Sequence, residues 1–142
     1  MTECNTKRFK TSLRITGDGF NPKEINDLLG LKADLTVEKG EYRKLRSDKL
    51  SQTAAKTNMW VYRWCDDSSI PFSEQLTMLF NELGDKVYCI KKLASLEGVF
   101  VEVFCGFSSE NGQGGDTFSI NVLRVLSDNN IHLSLDLYPP EE

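Results

Sequence analysis

The side chains best suited to chemistry in this sequence are one histidine, His132, and four cysteines. The cysteines are Cys4, Cys65, Cys89 and Cys105, and no two of them form a CxxC pair. A structural zinc site would need almost every thiol to converge, and a catalytic cysteine–histidine pair could form only with His132. The wide spacing favours unlinked thiols in a reducing compartment.

Carboxylates and glycines offer two further patterns. Asp66 and Asp67 are adjacent and could join Glu102 or Asp136 in a pair for acid–base or metal chemistry, although nothing in the spacing requires it. The segment 111–116 (NGQGGD) is rich in glycine but lacks the Lys-Ser/Thr that completes a phosphate-binding loop. The segment has a single acidic residue, whereas a calcium-binding loop needs several oxygen ligands. We predict a flexible turn there, and neither a metal site nor a cofactor.

Two strand-like segments carry the side chains that could line a binding surface. Period-two alternation places Trp60, Tyr62 and Trp64 on one face, either as a ligand wall or as core beneath a helix layer, and core is favoured. The last such segment has a polar face that includes Asp136 and Tyr138. If the two strands were neighbours, aromatic and acidic side chains would share the open face of the sheet. That arrangement suits binding better than catalysis, because it lacks a nucleophile with a partnered base.

Length and composition are those of an ordinary single domain. The chain has 142 residues, with 17 Lys and Arg against 21 Asp and Glu, which gives a net charge of −4. Nucleic-acid binding needs a concentrated basic face, so this acidic balance argues against it. No apolar run approaches the ~20 residues that cross a bilayer, and residues 1–12 lack the apolar core of a signal peptide. These features predict one cytoplasmic globular domain over residues 1–142, with no membrane partner.

Hydrophobic periodicity predicts strands that alternate with helices along the chain. The predicted strands cover residues 9–16, 35–37, 59–64, 99–107 and 131–138. The predicted helices cover residues 22–29, 71–83 and 86–96, with a last helix capped near Asn121. Residues 41–57 are polar and locally basic, which predicts a long, flexible, exposed loop. Because each main strand has one strongly apolar face, we predict an α+β two-layer sandwich: a mostly antiparallel or mixed sheet of four to five strands with helices packed on one face.

Several short motifs occur in a characteristic order from Leu13 to Tyr138. They are LRITG (13–17), PKEI (22–25), LLGL (28–31), Lys39-Gly40, the strand around Trp60 and IHLSLDLY (131–138). Together they resemble the bacterial family catalogued as domain of unknown function 4279. The resemblance implies a small stand-alone cytosolic protein, in a family with some members encoded beside secreted polymorphic toxins, as immunity proteins are. It implies no established catalytic residues.

These features favour a non-enzymatic protein-binding module, most concretely an immunity-type protein that neutralises a cognate bacterial toxin by binding it. An acidic protein suits a toxin domain with a basic surface, through electrostatic steering and complementarity. The expected contact residues combine acidic side chains with aromatic anchors: Asp66, Asp67, Glu102, Glu110, Asp116, Asp136, Trp60, Tyr62, Trp64 and Tyr138. The alternative is a small-ligand-binding protein or an enzyme that uses the open face of the sheet.

Overall fold

Helices and strands alternate along the chain much as the periodicity predicts. A computed structural model describes residues 6–44, 47, 49–65 and 67–138. The strands within these ranges are β1 (Lys7–Gly17), β2 (Leu35–Val37), β3 (Tyr42–Lys44), β4 (Leu50–Ala54), β5 (Asn58–Trp64), β6 (Val99–Ser109) and β7 (His132–Leu137). The α-helices are α1 (Pro22–Leu29), α2 (Phe72–Leu83), α3 (Val87–Ala94) and α4 (Ile120–Asp128), with a 3₁₀ turn at Gly84–Lys86. None of the described helices is long and apolar enough to cross a membrane.

The main sheet has five strands in the order β2-β5-β1-β6-β7. The central strand β1 is antiparallel to both of its neighbours, β5 and β6, and β2 is antiparallel to β5. The edge strand β7 is parallel to β6, and α4 forms the crossover that a parallel pair requires. The sheet is therefore mixed, and the predicted α+β fold class is confirmed.

Only one face of this sheet is covered by helices. On that face, Leu13 and Ile15 of β1 and Val103 of β6 are fully buried in a cluster that includes Leu76 and Leu79 of α2. The alternate residues of the strands point to the opposite face, because successive side chains of a strand point to opposite sides. The described residues thus form two layers, and none of their helices covers the second face of the sheet.

Local capping signals explain where the first helix begins and ends. Asn21 caps α1 by accepting a hydrogen bond from the Lys23 backbone N–H at 3.0 Å, and Gly30 ends it with a positive φ of 66°. The predicted cap of α4 near Asn121 is wrong. The cap is Ser119, whose hydroxyl oxygen accepts from the backbone N–H of Val122 at 3.2 Å, so Asn121 lies inside the first turn.

Residues 41–57 contain a β-hairpin where a loop was predicted. Strand β3 pairs antiparallel with β4, and Tyr42 lies opposite Ala54. The pair forms a separate two-stranded sheet. The loop prediction was wrong because these short strands are polar and lack a clear hydrophobic alternation. The flexibility of the segment remains a prediction.

The described cysteines, Cys65, Cys89 and Cys105, are free thiols that differ in burial. Burial, with a smaller contribution from the Asp116 carboxylate, raises the pKa of Cys105 to about 12, whereas Cys65 and Cys89 are half-buried. The thiolate is the reactive form, so we expect a thiol reagent to label Cys65 and Cys89 well before Cys105 in the native protein at mildly alkaline pH.

Peptide mass spectrometry at successive labelling times would check this order. Equal labelling rates for Cys105 and Cys89 would contradict it. Cys4 lies outside the described residues, but the denatured, unreduced protein should still yield close to four reactive thiols. A count of two would contradict the prediction of unlinked cysteines.

Candidate binding site on the open sheet face

The aromatic residues of β5 face the helices. Trp60 is 0% exposed, and its indole N–H donates to the Asn26 side-chain oxygen at 2.9 Å. Tyr62 and Trp64 are half-buried against the core, and the Trp64 indole N–H donates to the Gln75 carbonyl at 2.8 Å. The core interpretation of this face is confirmed. The prediction that Trp60 contacts a ligand or partner is wrong, because the helix layer covers this residue.

Two of the predicted acids, Glu102 on β6 and Asp136 on β7, lie on the open face. Glu102 accepts a hydrogen bond from the Ser134 hydroxyl at 2.6 Å. A hydrogen bond to the Asp136 carboxylate, together with some desolvation, raises the pKa of Tyr138. The two strands are not neighbours, so the condition for Asp136 and Trp60 to share a face is not met. Strand β7 lies at the sheet edge beside β6, separated from β5 by two strands, and its acid points away from the helices.

The remaining acidic residues lie apart from one another, around the end of the sheet that holds the C-terminal ends of β5 and β6. Asp67 accepts hydrogen bonds from the hydroxyl and backbone N–H of Ser69 at 2.6 and 3.0 Å, and these lower its pKa. Asp116 accepts from the Phe72 backbone N–H at 2.8 Å and so caps α2. Glu110 is exposed just after β6. Asp66 lies outside the described residues.

The open face carries a shallow depression of about 550 Å³ with a basic lining. Lys10 and Arg14 belong to β1, and Arg63 belongs to β5. Ser12 lies between them: Lys10 and Arg14 are each two residues away, ~7 Å along the strand, and Arg63 is its direct cross-strand partner. Three cationic side chains therefore surround one small hydroxyl residue.

The Arg14 guanidinium leans toward Ser12. In the β1–β6 register Arg14 lies opposite Glu102, yet its Cζ is 3.8 Å from the centroid of the Phe104 ring. Phe104 is the cross-strand partner of Ser12, so this cation–π contact draws the charge toward the same row of the sheet. The Arg14 Nε is buried and has no hydrogen-bond partner in the described part of the chain.

The depression exists because small residues lie between large ones. Gly106 is the cross-strand partner of Lys10, and the Tyr138 ring lies against it: a Cβ at Gly106 would come 2.9 Å from the Tyr138 Cε2 atom. The floor is thus formed near Ser12 and Gly106, with Phe104 and Tyr138 standing above it. Such a concavity can bind a group of negative charge.

Other groups on the open face offer little for catalysis. The His132 ring stacks on the Phe100 ring, with centroids 4.3 Å apart. Within the described ranges, no group of three or more His, Cys, Asp or Glu side chains is placed to hold a metal ion.

A family model described as Domain of unknown function (DUF4279) matches residues 6–140, nearly the whole chain. The chain belongs to the DUF4279 family. The resemblance drawn from the sequence motifs is thereby confirmed. Neither a curated protein nor a solved structure shows a significant match. The open sheet face is the feature of this DUF4279 protein that bears on its function.

The basic depression of this DUF4279 protein was missed by the sequence analysis, although part of its signal is visible there. Alternation in β1 places Lys10, Ser12 and Arg14 together opposite the apolar residues, and alternation in β5 places Arg63 opposite the tryptophans. What the sequence lacks is the register that brings Arg63 beside Ser12.

Proposed function

We propose that this protein is a non-enzymatic binding module whose open sheet face takes a protein partner. The observation that carries the proposal is the β6–β7 side of the open face, which presents partly exposed aromatic side chains near Arg14. On the β2–β5 side of the same face, Val37 and Val61 are buried. Phe100 is 42% exposed and Tyr138 is 46% exposed. Aromatic residues and arginine are enriched at protein–protein interfaces, where they supply most of the binding energy.

The partner that we propose is a bacterial toxin domain, which makes this an immunity-type protein acting in the cytoplasm of the producing cell. Support comes from the net charge of −4 and from exposed acids such as Asp67 and Glu110, which would steer a basic toxin surface toward the protein. Glu102 and Asp136 place negative charge on the open face itself. Such a protein would act by covering the toxin, so it needs no catalytic group of its own.

Co-expression with the product of an adjacent toxin gene tests the proposal. We expect the pair to co-purify and the protein to restore growth to cells that make the toxin. The Phe100→Asp substitution should abolish both effects because it places a charge where the partner would pack. The matched control is Tyr88→Asp on α3, an exposed aromatic of the helix layer, which should leave both effects intact.

The rate of association should also fall as salt rises, since steering is screened beyond a Debye length of about 8 Å at physiological ionic strength. Failure to bind or to restore growth would overturn the proposal. So would equal losses in the two variants, because the open face would then have no special role. Turnover of a small molecule by the purified protein would favour an enzyme, and the basic depression is the feature that supports such a small-ligand alternative.

A further inference from the structure

We infer that the depression lined by Lys10, Arg14 and Arg63 binds the phosphate group of a small phosphorylated molecule. This site goes beyond the proposed protein partner and does not depend on it. A partner could be absent while the phosphate site is intact, and the reverse also holds.

The three cations of the depression are not held in ion pairs. Lys10, Arg14 and Arg63 form no ion pair with any acidic side chain in the described part of the chain. Glu102, the acid opposite Arg14, accepts instead from Ser134. The Arg14 Nε is buried and has no hydrogen-bond partner there. A bound anion would relieve the mutual repulsion of the three cations.

The number and arrangement of donors favour a phosphate group over a carboxylate. One arginine can satisfy a carboxylate with two parallel hydrogen bonds, which would leave the other two cations unmatched. A phosphate monoester carries a charge near −2 and three acceptor oxygens. Arg14, Arg63 and Lys10 are neighbours of Ser12 in the sheet and line the same depression, to which the Ser12 hydroxyl adds a further donor. The four groups together match a tetrahedral dianion.

The rest of the ligand would lie along the aromatic side of the depression. The volume of about 550 Å³ falls within the ~300–1,000 Å³ that is typical of small-molecule sites, so there is room beyond the phosphate itself. The half-exposed Tyr138 ring borders this space above Gly106. A flat organic group attached to the phosphate could stack there.

Calorimetric titration of the full-length protein with phenyl phosphate, at constant ionic strength, tests the inference. We expect saturable binding at one site, and weaker binding of inorganic phosphate, which has no ring to stack on Tyr138. The Arg63→Gln substitution should weaken phenyl phosphate binding by at least about tenfold, because a charge-assisted interaction is lost. Arg63 has an exposed side chain, so the variant should fold normally.

The matched control is Arg124→Gln on α4, which removes the same charge from an exposed site in the helix layer and should leave the affinity within about twofold. NMR amide shifts on titration should be largest near Ser12 and Gly106. The absence of saturable binding would overturn the inference, as would an equal loss in Arg124→Gln. Benzoate binding as tightly as phenyl phosphate would replace the phosphate assignment with a carboxylate site.

Discussion

Replacing Gly17 with alanine is expected to lower the free energy of unfolding by more than about 3 kcal/mol. Gly17 ends β1 with a φ of +132°, which side-chain-bearing residues rarely adopt, and a Cβ there would overlap the carbonyl oxygen of Gly98. The backbone has little freedom to move away because Gly17 pairs with Asn58 on one side and Val99 on the other. Urea unfolding followed by tryptophan fluorescence would measure the loss.

The matched control for this substitution is Gly115→Ala. A Cβ at Gly115 would meet nothing within 4 Å, and its backbone has no left-handed φ. Alanine there should be neutral or slightly stabilising, since it reduces the freedom of the unfolded chain. If both variants unfolded at the same urea concentration, the close approach of Gly17 to Gly98 would be contradicted.

The second large effect is expected at Trp60, where alanine should lower the free energy of unfolding by about 3–5 kcal/mol. Trp60 is fully buried between the sheet and α1, so the substitution leaves a cavity and deprives the Asn26 side chain of its indole donor. The Trp60→Phe variant keeps much of the ring and loses the hydrogen bond. The free energy of unfolding of this variant should therefore fall by less, about 1–2 kcal/mol. Chemical denaturation of both variants would separate packing from hydrogen bonding.

The Tyr88→Ala variant is the control, because it removes an aromatic side chain that lies outside the core. Tyr88 lies on α3 and is 61% exposed. Its ring contacts the Lys92 ammonium, and no other aromatic or cationic side chain of the described residues is in contact with it. Its removal should change the free energy of unfolding by no more than about 0.5 kcal/mol. A comparable loss in Tyr88→Ala and Trp60→Ala would contradict the assignment of the β5 aromatic face to the core.

Most helices and strands were predictable because their signals are local. Asn21, Pro22 and Gly30 lie within one short segment and define α1 by their own backbone preferences. The alternation in β1 predicted the buried positions of Phe9, Leu13 and Ile15, although Ser12 of the opposite face is buried as well. The hairpin of β3 and β4 was missed for the converse reason: its polar sequence has no clear apolar alternation.

The candidate site was predictable only in part, because it depends on pairing between distant segments. Alternation alone places Arg63 on the face opposite Trp60, but its proximity to Ser12 is decided by the β1–β5 register. In the same way, the sequence left open whether the strand of Asp136 lies beside that of Trp60. Strand β7 joins β6 in parallel at the far edge, and α4 connects the two strands.

The central position of β1 also bears on how the chain folds during synthesis. This strand leaves the ribosome well before β6, its partner along its whole length from Lys7–Ser109 to Gly17–Val99. One edge of β1 therefore stays unpaired until β6 has emerged. Such non-local pairing gives a high contact order, which slows folding because the closure of a long loop precedes the contacts that stabilise it. We therefore expect this strand edge to need shielding in the nascent chain until β6 has emerged, and a chaperone that binds strand edges would act in that interval.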